Sequence, residues 1–225
     1  KPVYGSNSAL VVKVEKRDDL SKVVRYISEN ISEKIESALA NGTQILAEEY
    51  LEGQEVDIDM LVQNGKLKFY SISDNDPTEE PFFVETGQSI PSSLLEEAQE
   101  KLVDMAEQTL EKLGVQQGCI HFEAKWTKRG PFPIEVNLRM GGDEVYSFVK
   151  GCWGVDLIEY ATKIALGMYI KPEKATQPLQ YLKGQYFLSE HSGVLMELNI
   201  EQELYKKDYL GEFHFHKEVG DAVLV

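Results

Sequence analysis

The sequence predicts an α+β fold built on an antiparallel sheet. Three observations point to it. Glu55–Val62 alternates polar and apolar residues and runs into Asn64-Gly65, a strong hairpin turn, after which Lys66–Ile72 returns. Cys119–Trp126 and Pro133–Arg139 flank a short turn and read as a second hairpin. Stretches with helical periodicity lie between and after these hairpins, without the regular strand–helix alternation of a doubly wound parallel sheet.

The elements follow in order. Residues 1–16 are expected to give a strand end, a small-residue loop at 5–9 (GSNSA) and a strand at 10–16 (LVVKVEK). Asp18 or Asp19 caps a helix on which Leu20, Val24, Ile27, Ile31, Ile35 and Leu39 recur at helical spacing, ending at Gly42. Residues 44–51 (QILAEEYL) read as a short strand. Residues 74–91, with Pro77, Pro81 and Pro91, read as a long polar loop, and loops of that length are often functional. Ser93 with Glu96 makes a capping box for a helix ending at Gly114. Helical segments are expected from about Asp143 and from Asp156 to Leu166. Beyond Pro172 the chain turns strand-rich. No internal repeat or low-complexity segment appears. The expected organisation is one domain over 1–171 and a strand-rich lobe over 172–225.

Composition narrows the function classes. The chain has 225 residues and a net charge of −15, from 23 basic and 38 acidic side chains, which argues against a nucleic-acid backbone as partner. No apolar run approaches a membrane span and no signal peptide opens the chain, so a cytoplasmic protein away from membranes is expected. Cys119 and Cys152 lie far apart without a CxxC pattern and are expected to be reduced. Lys1-Pro2 starts inside a motif without a methionine, and Asp221–Val225 stops inside a strand-like run. The full protein is expected to be longer.

The chemistry concentrates in residues 133–142, PIEVNLRMGG. As a strand, it sends Ile134, Val136 and Leu138 to one face and Glu135, Asn137 and Arg139 to the other. A three-residue loop, Lys128-Arg129-Gly130, would pair Thr127 with Pro131, Lys125 with Pro133, and Glu123 with Glu135. Two opposed carboxylates, with Cβ atoms about 4.5–5.5 Å apart, destabilise a sheet unless something lies between them. A divalent cation would relieve the repulsion, and carboxylate and amide oxygens suit Mg²⁺. A solvated face neutralised by Lys125 and Arg139 is the plainer alternative. Three further features weigh against it. EEYLEGQE, residues 48–55, is a polar connection that can offer backbone groups to a flat ring, with Glu55 positioned for ribose hydroxyls. Lys1 sits beside the GSNSA loop, whose backbone N–H groups can fold over phosphates.

These motifs resemble the ATP-grasp superfamily, and more closely its carboxylate–amine (L-amino acid) ligase branch. EVNLRMGG is similar to the family's E-x-N-x-R-x-G-G, EEYLEGQE to its hinge, and KPVYGSNSALVV to its lysine strand and phosphate flap. The likeness runs from Lys1 to about Gly167. It implies an ATP-grasp fold, antiparallel sheets with packed helices and a nucleotide held between two subdomains, truncated at the N-terminus. Leu10 departs from the family pattern, where a small residue is usual.

The resemblance also implies roles. Lys1 contacts ATP phosphates, and Ser6, Asn7 and Ser8 form the flap. Glu48, Glu49 and the Tyr50-Leu51 backbone hold adenine, and Glu55 holds ribose. Glu123, Glu135 and Asn137 bind Mg²⁺, with Mn²⁺ as a substitute. Arg139 stabilises charge on an acyl phosphate formed from one substrate's carboxylate and attacked by a second substrate's amine. The implied activity is amide-bond formation with release of ADP and phosphate, on small-molecule substrates. Homo-oligomerisation stays open. The alternative is a nucleotide-binding regulatory or scaffold protein of the same fold without ligase activity. Among the other candidates, His121 shares a face with Glu123, Lys68 reads as an exposed strand lysine, His214 and His216 lack a third ligand, and Tyr146, Phe148 and Trp153 read as core.

Overall fold

The computed structural model describes every residue except 190, 200, 202, 204, 205, 224 and 225. Residues 1–186 and 187–225 form two compact units. The first contains strands β1 (Gly53–Gln63), β2 (Lys66–Asn75), β3 (Gly87–Ile90), β4 (Gln117–Thr127), β5 (Gly130–Asn137) and β6 (Leu182–Gln185). They form one sheet in the order β5-β4-β1-β2-β3-β6, antiparallel throughout. Helices α1 (Leu20–Asn30), α2 (Glu96–Leu113), α3 (Val145–Trp153) and α4 (Leu157–Ala165) accompany it.

Strand alternation gives the sheet two unlike faces. Val56, Ile58 and Met60 of β1, with Ile120, Phe122 and Ala124 of β4, pack against Leu102, Val103, Ala106 and Leu110 of α2. Phe122 is fully buried here, so Phe122→Ala would cost about 3–5 kcal/mol. On the opposite face Leu61, Phe69 and Cys119 pack against Val145, Phe148 and Val149 of α3 and Leu157 and Ile164 of α4. Further along the same strands this second face turns polar, and the candidate site lies there.

Several expectations hold. The β1–β2 hairpin turns at Asn64-Gly65 with φ of 56° and 65°, the left-handed pair that such turns need. Asp156 caps α4 by accepting a hydrogen bond from the Glu159 N–H at 2.9 Å. Phe148 is core, and Trp153 is partly buried with its indole N–H donating to Ser71.

Others are corrected. The helical pattern of residues 20–39 breaks at Ile31, where ψ is 111°. Leu20 and Val24 stay exposed and only Ile27 of α1 is buried, so no core supports a longer helix. Leu39 reaches the interior instead through a 3₁₀ turn, Ser37–Asn41. Asp19 pairs with Lys22 at 2.9 Å rather than capping α1. Ser93 is likewise no cap. Its hydroxyl and N–H both donate to Asp74, and α2 begins at Glu96 without a side-chain cap. Residues 10–16 and 44–51 are not strands. They hold only single bridges, Val12 to Phe82 and Pro2 to Ile45. The polar loop is shorter than 74–91, because Asp74 and Asn75 finish β2 and Gly87–Ile90 joins the sheet.

The second unit pairs β7 (Gly193–Val194) with β8 (Ala222–Val223), and Phe213 meets Phe215 edge to face at 5.0 Å. The last two residues of the strand-like run at 221–225 lie outside the described residues. Among the described residues, no helix is long and apolar enough to cross a membrane.

Candidate active site

The register of three strands builds the polar face. Asp57 of β1 pairs with Glu123 of β4, which pairs with Glu135 of β5. One step along, Asp59 pairs with His121, which pairs with Asn137. The Glu123–Glu135 opposition arises by a different route from the one expected. The turn is two residues, Lys128-Arg129, so Thr127 pairs with Gly130 rather than Pro131, and Lys125 with Phe132 rather than Pro133. A β-bulge between Glu123 and Ala124 takes up the extra residue and restores the carboxylate pair. β5 is the edge strand and ends at Asn137, so Leu138 is 66% exposed instead of lying in the core.

The electrostatics fit a cation. Burial, then the neighbouring Glu135, pushes the Glu123 carboxyl up to about 7, although His121 opposes the rise. The Asn137 amide donates to Glu123 at 3.3 Å, and the His121 Nε2 lies 4.0 Å from the same oxygen. Asp57 is also held well above the carboxylate range by burial, and accepts from Asn75 at 3.2 Å. Burial lowers the His121 imidazole, but its bond to Asp59, 2.9 Å from Nδ1, together with the charges of Asp59, Asp57 and Glu123, more than compensates and leaves it at about 9. Among the described residues, no three His, Cys, Asp or Glu side chains form a complete metal cage. Mg²⁺ does not need one, since it binds through one or two carboxylates and substrate phosphates. Two hard, crowded carboxylates with an amide beside them fit that requirement. A cavity of about 50 Å³ adjoins the face, lined by Asp57, Glu85, His121, Gly142, Asp143 and Tyr186, and burial raises the Glu85 carboxyl as well.

The residues assigned to nucleotide are placed as follows. Lys1 pairs with Glu48 at 2.5 Å, beside the Pro2–Ile45 bridge. Glu49 turns to Arg129 at the tip of the β4–β5 hairpin, at 2.7 Å. Ser6, Asn7 and Ser8 form a tight turn. Asn7, Ser8 and Leu10 all have positive φ, an uncommon state for a leucine. The Tyr50 hydroxyl donates to Glu80 at 2.7 Å, while Leu51 is half-buried. Glu55 pairs with Lys125 at 3.1 Å, its cross-strand partner. The reading from sequence missed Lys13, which pairs with Glu80 at 2.7 Å and lies 4.2 Å from the centre of the Tyr50 ring. It also passed over Asp57 and Asp59, although their alternation with Val56 and Ile58 put them on the Glu55 face.

Arg139 is exposed and donates to the Met140 carbonyl at 2.9 Å. Lys68 reaches the Tyr169 hydroxyl at 3.4 Å. His214 lies 3.5 Å from Glu212 in the second unit. Cys119 and Cys152 are free and buried, and burial pushes both thiols up, to about 12 and about 11.

Residues 1–147 match the ATP-grasp domain family. The chain belongs to the ATP-grasp family. This ATP-grasp chain is 35% identical over 155 residues to carnosine synthase 1 of Gallus gallus, which covers 68% of the chain and 17% of that protein. It is 29% identical over 176 residues to alanine–anticapsin ligase of Bacillus subtilis (strain 168), covering 71% of the chain and 36% of that protein. The structure of an L-amino acid ligase from Bacillus licheniformis superposes with a TM-score of 0.79 at 25% identity, over 95% of this chain and 53% of that one. The chain therefore spans less than a fifth of the carnosine synthase and about half of the ligase structure. The expected fold, ATP-grasp with an antiparallel sheet and packed helices, is the one observed.

Proposed function

We propose that the protein is an ATP-dependent ligase that joins a carboxylate, that of an amino acid, to an amine through an acyl phosphate. The observation that carries this reading is the opposition of Glu123 and Glu135 on one strand face, with Asn137 beside them, inside an ATP-grasp domain. Three relatives of this chain, a synthase and two ligases, support the same chemistry.

Glu123, Glu135 and Asn137 would hold Mg²⁺, or Mn²⁺, which prefers the same oxygen donors. Bound there, the cation supplies charge neutralisation to the ATP phosphates. Lys1 adds a further positive charge, and the turn at Ser6, Asn7 and Ser8 offers backbone donors to the phosphates. Glu48, Glu49 and the Tyr50-Leu51 backbone serve adenine, and Glu55, steadied by Lys125, serves ribose. A substrate carboxylate oxygen attacks the γ-phosphorus and the bond to ADP breaks. An amine nitrogen then attacks the acyl carbon, phosphate leaves with the bonding electrons, and the nitrogen loses a proton. Arg139, exposed two residues past the end of β5, presents a planar fork of donors to the acyl phosphate. The cytoplasm suits such an enzyme, where ATP is plentiful and Cys119 and Cys152 stay reduced.

The test is an ADP-release screen of the full-length protein against pairs of amino acids with Mg²⁺. Release that needs both a carboxylate and an amine supports the ligase. Tight ATP binding with no release for any pair supports a nucleotide-binding scaffold instead.

A further inference from the structure

We propose that Asp59 and His121 form a positioning pair that fixes both the metal-binding carboxylate Glu123 and the glycine loop at 141–142. The inference rests on the ligase reading for what Glu123 holds. Asp59 is 2% exposed, and its Oδ1 lies 2.9 Å from His121 Nδ1. That bond sets the plane of the imidazole. The ring's far nitrogen then stands 4.0 Å from the Glu123 carboxylate, and its near edge lies under the backbone of Gly141. A methyl group on Gly141 would sit 2.8 Å from His121 Nδ1 and 3.1 Å from Cε1. One ring therefore touches the floor of the cation site and the loop that follows Arg139.

Packing alone does not call for this pair. The next rung of the same ladder, on the same face, is Leu61 with Cys119, both buried and apolar. Apolar side chains thus fill the adjoining position, and replacing a buried charged pair by apolar residues is often neutral or stabilising. What Asp59 and His121 add is orientation. A carboxylate that holds a cation is sensitive to the groups around it, and loss of such an outer partner typically weakens metal binding by about 10–100-fold.

The experiment is calorimetric titration of the full-length protein with ADP, in excess Mg²⁺ and in EDTA, alongside melting temperatures. His121→Phe fills the space under Gly141 but abolishes the bond to Asp59. It leaves Asp59 buried without its partner and is expected to melt below the wild type, yet to bind ADP equally in EDTA. Its Mg²⁺-dependent gain in ADP affinity should fall at least about 10-fold. Asp59→Ala should lose as much, whereas Asp59→Asn, which keeps an acceptor for the Nδ1–H, should recover most of the gain. Should His121→Phe not fold, the two Asp59 variants carry the same comparison. A wild-type Mg²⁺ gain in Asp59→Ala, or equal losses in Asp59→Ala and Asp59→Asn, would overturn the proposal. Wild-type protein whose ADP affinity ignores Mg²⁺ would refute the metal site itself, and the ligase reading with it.

Discussion

Glu123 and Glu135 face each other across the β4–β5 hairpin, brought into register by a bulge at the very next residue. Burial of Glu123, and then its closeness to Glu135, makes the metal-free protein sensitive to pH. The folded state keeps a proton on Glu123 up to about 7, whereas an unfolded glutamate releases it near 4.5. The unfolded state thus binds fewer protons between those values, and stability falls as pH rises across that window. The raised Asp57 and Glu85 act in the same direction. His121 contributes stability that is complete below about 6.5 and is lost as pH rises through about 9. Melting temperature in EDTA should therefore decline from pH 4.5 to 9, with the Glu123 share on the order of 1–3 kcal/mol. Glu123→Gln should flatten the part below pH 7. An unchanged slope in that variant would contradict a Glu123 carboxyl raised by burial and by Glu135.

Glu55 is held by Lys125, so removing its carboxylate tests the ribose contact. Glu55→Ala should weaken ATP binding by roughly 10-fold, the scale of a hydrogen bond to a charged group. The loss should vanish with 2′,3′-dideoxy-ATP, which lacks the hydroxyls. Equal weakening for both nucleotides would place the effect in the released Lys125 and not in ribose.

Gly141 should not tolerate a side chain. An added Cβ would meet Val145 Cγ2 at 2.6 Å and the His121 ring at 2.8 Å. Gly141→Ala is expected to cost about 1–3 kcal/mol in denaturant unfolding, the range for overpacking. Gly142→Ala, where nothing lies within 4 Å, should be close to neutral. The reverse ranking would show that the loop is not packed on His121.

The site was more legible in the sequence than the segments around it. Glu135 and Asn137 alternate on β5, and the period of two survives any error in the turn, whereas Arg139, expected on the same strand, lies beyond its end at Asn137. The pairing of Glu123 with Glu135 was right although the turn length was wrong, because the bulge offsets the shorter turn. A bulge has no residue signature in this hairpin. Asp57 and Asp59 were visible as an alternation, but only the register of β1 against β4 shows that they complete the row. Residues 10–16 and 44–51 carry strand-forming side chains yet pair through single bridges, since few partner backbone groups lie alongside them. Helix α1 stopped early for a related reason: periodicity marks an apolar face, but only a packing partner lengthens the helix that bears it.

Arg139→Lys keeps a positive charge and removes the planar fork. If Arg139 acts on the acyl phosphate, kcat should fall by about 10²-fold or more while ATP affinity changes little. Parallel loss of ATP binding and turnover would assign Arg139 to nucleotide instead.

The most direct measurement is the stoichiometry of the reaction in the full-length protein. With Mg²⁺, ATP and a productive substrate pair, ADP, phosphate and amide should form in equal amounts, and Glu135→Gln should abolish all three while the protein stays folded. ADP formation without amide, or full turnover in Glu135→Gln, would contradict a ligase centred on the Glu123–Glu135 face.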